Sequence, residues 1–186
     1  EFDHYRAKAE PHPMFLEHGI EAVPFAHDKM DEWRNNFKGI RYVDESEGYN
    51  FGGAVDDIWQ KPNGDLIVVD VKSTSKNVFD WEDTYSKWEY AKGYRRQLEM
   101  YQWLLEKNGF SVASEGYLVY YNGKKNEPMF EQKLEFDLHL VKLECDKSWV
   151  AEAVIAAKKT LEGTMPKAAS SCENCNYLRK RWEVSN

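Results

Sequence analysis

Apolar residues recur along this chain at two periods, and the change from one to the other divides it into strands and helices. Residues 51–73, FGGAVDDIWQKPNGDLIVVDVKS, read as two strands joined at Pro62-Asn63-Gly64. Proline suits the first corner of a type I turn and glycine the left-handed position after it. The connection is therefore a three-residue hairpin loop with a bulge. That loop centres the register on Asn63 and sets Asp56 across from Asp70. Side chains alternate along a strand, so Asp56, Asp70 and Lys72 share one surface while Val69 and Val71 point to the other.

Elsewhere the helical period dominates. Residues 2–9 read as the end of a helix stopped by Pro11 and Pro13. Residues 27–37 place Met30, Trp33 and Phe37 on one face, which predicts an amphipathic helix ended by Gly39. Residues 40–47 alternate weakly and predict an edge strand, with Gly48 breaking it before the hairpin. Gly52-Gly53 marks either a simple bend or a close approach of other atoms.

A long helix is predicted over residues 84–107, with Tyr85, Trp88, Ala91, Tyr94, Leu98, Tyr101 and Leu105 along its apolar line and Asn108-Gly109 at its end. Gln97 and Tyr101 are four apart and so are neighbours on one face. Residues 114–122 read as a strand. Residues 131–144 alternate Leu134, Phe136, Leu138 and Leu140 as a half-buried strand beside it. Residues 147–161 read as an amphipathic helix stopped by Gly163 and Pro166.

Composition narrows this picture. Hydrophobic residues at 42% and aromatics at 15% of 186 residues support a packed core, and one domain over residues 1–186 is expected. The chain opens on Glu1 rather than methionine, which leaves room for a missing native N-terminal segment. No apolar run is long enough for a membrane span, and no signal peptide is visible. Three irregularly spaced cysteines do not form a disulfide framework, so an intracellular, cytoplasmic setting is expected. A net charge of −7 argues against non-specific coating of nucleic acid, but a local basic stripe can still meet phosphates.

Two aspartates opposed across a hairpin repel, with Cβ atoms only about 4.5–5.5 Å apart, so something cationic is expected between them. Lys72 supplies one charge and a divalent ion such as Mg²⁺ would supply two more. Mg²⁺ takes oxygen ligands and keeps several waters, so two carboxylates suffice when substrate phosphate completes the shell. Such an ion suits phosphodiester hydrolysis. Neighbouring aspartates oppose a depressed lysine pKa, which favours positioning and charge stabilisation for Lys72 over general-base duty.

These stretches resemble the PD-(D/E)XK nuclease superfamily, in particular its RecB-like exonuclease branch. Gly53-Ala54-Val55-Asp56 is similar to the first acidic motif, Asp70-Val71-Lys72 to the (D/E)-X-K tripeptide, and Gln97-Leu98-Glu99-Met100-Tyr101 to the Q-x-x-x-Y motif. The resemblance implies an α/β, restriction-endonuclease-like fold, a central mixed sheet flanked by helices. It implies a Mg²⁺- or Mn²⁺-dependent DNA nuclease of exonuclease character, with Asp56, Asp70 and the Val71 carbonyl as metal ligands. Gln97 and Tyr101 would shape the site, and Lys72 completes the catalytic set. Relatives add an upstream histidine or glutamate, and His27 is the candidate here. Arg95, Arg96 and Tyr94 are the candidates for contact with nucleic acid.

Some relatives, the CRISPR-associated RecB-like exonucleases among them, hold an iron–sulfur cluster on one upstream and three C-terminal cysteines. Here Cys172 and Cys175 match part of that pattern, Arg181 stands about where another cysteine is expected, and no cysteine precedes the hairpin. Neither an iron–sulfur cluster nor zinc is expected, and the two cysteines are read as capping a short terminal helix. A module of nuclease fold that binds DNA or a partner protein without cutting is the alternative. A larger nucleic-acid-processing complex is an expected setting for either.

Overall fold

The computed structural model describes residues 1–127, 129 and 131–185. It begins with short helices α1 (Phe2–Arg6) and α2 (Pro13–Glu17), a two-residue strand β1 (Val23–Pro24) and the one-turn helix α3 (Met30–Trp33). Next come β2 (Ile40–Asp44), β3 (Tyr49–Gly53), β4 (Asp57–Gln60) and β5 (Leu66–Thr74). Helices α4 (Trp81–Lys87) and α5 (Glu89–Lys107) lead into β6 (Val112–Gly123) and β7 (Phe136–Glu144). The chain closes with α6 (Val150–Glu162) and α7 (Glu173–Ser185). It divides into two compact units, Glu1–Val150 and Ala151–Asn186, and the first carries both sheets.

Five strands lie in the order β1-β4-β5-β6-β7. All neighbours are antiparallel except β5 and β6, which are parallel. A parallel pair needs a crossover, and α4 and α5 supply it. The hairpin register runs as the turn chemistry requires, with Asp57 opposite Val69 and Gln60 opposite Leu66. Leu66 to Asp70 are all buried, as expected for a central strand covered on both sides. On one face Ile67 and Val69 join Phe15, Trp59, Tyr117 and Val119 in a common core. The Phe15 and Trp59 rings lie 4.4 Å apart between centroids. On the other face lies α5, where a Cβ on Gly116 would meet Leu98 Cδ1 at 3.2 Å. The α/β fold with a mixed sheet flanked by helices is the expected one.

Several elements depart from the sequence pattern. Residues 51–53 belong to β3, which pairs with β2 in a separate two-stranded ribbon, so residues 40–44 do not edge the main sheet. The helix expected over residues 27–37 is only one turn. Asn35 Oδ1 captures the Phe37 amide at 2.9 Å and competes with helix continuation. Phe37 is left 92% exposed. The helix expected over residues 84–107 is broken at Trp88, whose extended backbone (φ −121°, ψ 118°) ends α4 and precedes α5. In β7 the apolar alternation does not bury its first half. Phe136 and Leu138 are exposed on an edge strand, and burial begins around Leu140 and Val141.

In the second unit, the Cys175 amide donates to Cys172 Sγ at 3.5 Å at the start of α7, in line with the capping reading. The Cys172 thiol is held below its ordinary range by the Cys175 amide and then by the Cys175 thiol. Cys175 is pushed up by the Cys172 thiol beside it.

Candidate active site

The short stretch between β3 and β4 sets the first carboxylate. Val55 is fully buried, and its amide donates to the Trp33 carbonyl at 3.1 Å. Asp56 next to it is exposed. Its Oδ2 accepts the Val71 amide at 2.7 Å, which ties it to β5. Asp57, one position further, turns the opposite way and pairs with Arg6, whose Nε also donates to the Phe25 carbonyl at 2.7 Å. Burial pushes the Asp57 carboxyl up to about 6 against the pull of Arg6. Adjacent aspartates on a strand serve opposite faces. That alternation is the sequence signal that separates the role of Asp57 from that of Asp56.

On β5, Asp70 is 1% exposed and forms an ion pair with Lys72. The Lys72 ammonium is the partner of its buried Oδ2. Burial raises the Asp70 pKa, Lys72 opposes the rise and the Asp56 carboxylate adds to it. Lys72 Nζ donates to Gln97 Oε1 at 3.4 Å and lies 4.4 Å from the centre of the Tyr94 ring. Gln97 Nε2 donates to the Tyr101 hydroxyl at 2.8 Å. Asp56, Asp70, Lys72, Gln97 and Tyr101 are thus brought together, with Val71 between the two charged β5 residues. The cause is packing, because α5 covers the sheet face to which Asp70 and Lys72 point.

Two carboxylates against one ammonium leave the cluster electrostatically short of cation. This hard, all-oxygen donor set fits Mg²⁺ or Mn²⁺. Among the described residues no group of three or more His, Cys, Asp or Glu side chains could hold a metal ion. The protein would therefore supply two carboxylates, and water or phosphate the rest. His27 is not brought to Asp56 and Asp70. Its ring stacks on Trp33 at 4.4 Å, its Nδ1 accepts the Lys29 amide, and it lines a cavity with Arg6 and Arg34. That cavity also carries Asp3, Asp28 and Asp31 and is of mixed charge, so the Trp33 ring and the Lys29 amide are what engage the imidazole.

Of the residues expected to meet nucleic acid, Tyr94 lies beneath the Lys72 ammonium. Arg96 stands 3.8 Å from Glu89. Arg95 Nε donates to Glu99 Oε1 at 3.0 Å. Glu99, inside the Q-x-x-x-Y stretch, was not singled out in sequence. It is 4% exposed and also accepts the Asp146 amide at 3.0 Å and the Trp149 indole N–H at 2.7 Å. A charge between Leu98 and Met100 was the available signal.

A family model for the PD-(D/E)XK nuclease superfamily matches residues 2–179. No curated protein matches the chain. Among solved structures, that of SSO0001 aligns at 18% identity over 73% of this chain with a TM-score of 0.37. The chain spans about half the length of that structure, 52%. No helix among the described residues is long and apolar enough to cross a membrane.

Proposed function

The chain belongs to the PD-(D/E)XK nuclease superfamily, and from that premise we propose that it hydrolyses DNA phosphodiester bonds with Mg²⁺ or Mn²⁺, as the RecB-like exonuclease branch does, at an end or on a single strand. The observation that carries this reading is the buried Asp70 carboxylate, ion-paired with Lys72 and set beside the Asp56 carboxylate. A divalent ion held by these carboxylates would supply polarisation of the phosphoryl oxygen and a bound water of lowered pKa.

The chain's own residues do the rest. Asp56 and Asp70 provide the ligand oxygens, together with the Val71 carbonyl, and the Val71 amide fixes the Asp56 rotamer. Lys72 compensates negative charge gathering on the phosphate oxygens, the kind of preorganised stabilisation that dominates phosphoryl transfer. Asp70 and Gln97 hold that ammonium in place. Tyr101 in turn orients the Gln97 amide. The net charge of −7 fits an enzyme that works inside a larger nucleic-acid-processing assembly. Cleavage of single- and double-stranded DNA with Mg²⁺ or Mn²⁺ tests the reading, comparing wild type with Asp70→Ala and Lys72→Ala. Loss of cleavage in both variants is expected, and equal cleavage by all three proteins would sink it.

A further inference from the structure

Beside the carboxylate cluster lies a second, smaller feature. A cavity of about 150 Å³ opens where the C-terminal end of β5 meets the start of α5. Four aromatic rings line it, those of Phe79, Tyr90, Tyr94 and Tyr120. A space of this size accepts a benzene-sized ring. Phe79 is held between two neighbours, stacked on His139 at 4.2 Å with the planes 10° apart and packed against Tyr120 at 4.9 Å. Tyr90 meets Tyr94 edge-on at 5.6 Å and stays 47% exposed. Burial, and then the neighbouring Tyr94, keep the Tyr120 hydroxyl protonated far above neutral pH, so the wall carries no phenolate charge there.

The polar part of the lining fits a nucleotide. Ser73 and Thr74 continue β5 directly beyond Lys72, and Lys76 donates from Nζ to the Thr84 hydroxyl at 2.6 Å. Tyr94 belongs to both places, since the same ring lies under the Lys72 ammonium. A strand whose phosphate rests at Asp70 and Lys72 therefore has an adjacent base within reach of the cavity. Fixed aromatic rings with a few hydrogen-bonding groups and a nearby cation are the usual composition of a stacking platform for single-stranded nucleic acid.

We propose that this cavity receives one unstacked nucleobase of the substrate strand, next to the scissile phosphate, with Tyr90 and Phe79 as its stacking walls. The inference rests on the nuclease reading for its substrate class. It makes the chain a reader of frayed or single-stranded DNA, because a base held in a duplex stack cannot enter.

The test is binding in chelator, so that no turnover is needed. Single-stranded DNA of about 12 nucleotides carries one 2-aminopurine, moved position by position, and fluorescence reports stacking on wild type. Quenching at one position is expected, and an abasic site there should weaken binding about 5- to 150-fold. Tyr90→Ala should abolish that quench and lose a similar factor, Tyr90→Phe should restore both, and the abasic site should cost Tyr90→Ala nothing more. Tyr90 is half-exposed, and a melting curve verifies that the variant is folded. Quenching at no position, losses that multiply, or no binding of the strand overturns the pocket. Quenching with the RNA of the same sequence but not the DNA overturns the DNA assignment. Cleavage that survives Asp70→Ala would instead fault the nuclease reading, whatever the binding shows.

Discussion

The ring of Tyr101 occupies the space that a side chain on Gly53 would need. A Cβ at Gly53 would lie 2.5 Å from Tyr101 Cε1 and 3.2 Å from Cδ1. The glycine that opens the first acidic motif and the tyrosine that closes the Q-x-x-x-Y motif thus define each other's position. Gly53→Ala should displace Tyr101, break its bond from Gln97 and lower cleavage at least about tenfold. The overpacking cost should be about 1–3 kcal/mol. In a Tyr101→Ala background the same alanine should cost little further activity. Cleavage rates and melts of the four proteins check this, and an undiminished Gly53→Ala rate would refute it.

Metal binding should separate the two carboxylates from the upstream histidine. Calorimetric titration with Mn²⁺ should show affinity falling about tenfold or more for Asp56→Asn and Asp70→Asn, since each removes one of few anionic ligands. His27→Ala should stay within about twofold of wild type, because the imidazole is engaged with Trp33 and the Lys29 amide. A large loss for His27→Ala would return it to the metal shell.

Glu99 should matter for stability more than for chemistry. Its carboxylate accepts from the Asp146 amide, the Trp149 indole and Arg95, and Glu99→Ala leaves the first two without their acceptor. The expected loss is about 3 kcal/mol, or about 6–12 °C in Tm for a chain of this length. Arg95→Ala should cost less, because that arginine side chain is 39% exposed and its pair is screened. Urea denaturation followed by tryptophan fluorescence measures both. Comparable losses would show that the Arg95 pair, and not the buried bonds, dominates.

The three cysteines should alkylate in a defined order. Nucleophilic attack needs the thiolate, so at about pH 8 a lowered pKa speeds labelling and a raised one slows it. Cys172, held low by the Cys175 amide, should react first and Cys175 later. Cys145, pushed up to about 12 by burial and then by Glu99, should react last in the folded protein. Peptide mapping after a timed iodoacetamide pulse gives the order, and early labelling of Cys145 would contradict its burial.

Short-range chemistry is what the sequence carried by itself. Pro62-Asn63-Gly64 set the hairpin register found between β4 and β5, because a turn of that kind admits few pairings. The four-residue spacing placed Gln97 beside Tyr101 for the same local reason. The family motifs followed from these two stretches. What the tertiary structure alone decided depends on contacts between distant residues. The crossover from β5 to β6 laid α5 over Asp70 and Lys72. Pairing with β2 drew residues 51–53 out of the hairpin. His27 stacks on Trp33 and forms no metal-holding group with the carboxylates among the described residues. The two strands, two helices and loop that meet at Tyr94 and Tyr120 made a cavity that no single periodicity records. Burial is a property of what packs against a residue, and for Asp70, Glu99 and the Tyr90 cavity those partners lie tens of residues away in the chain.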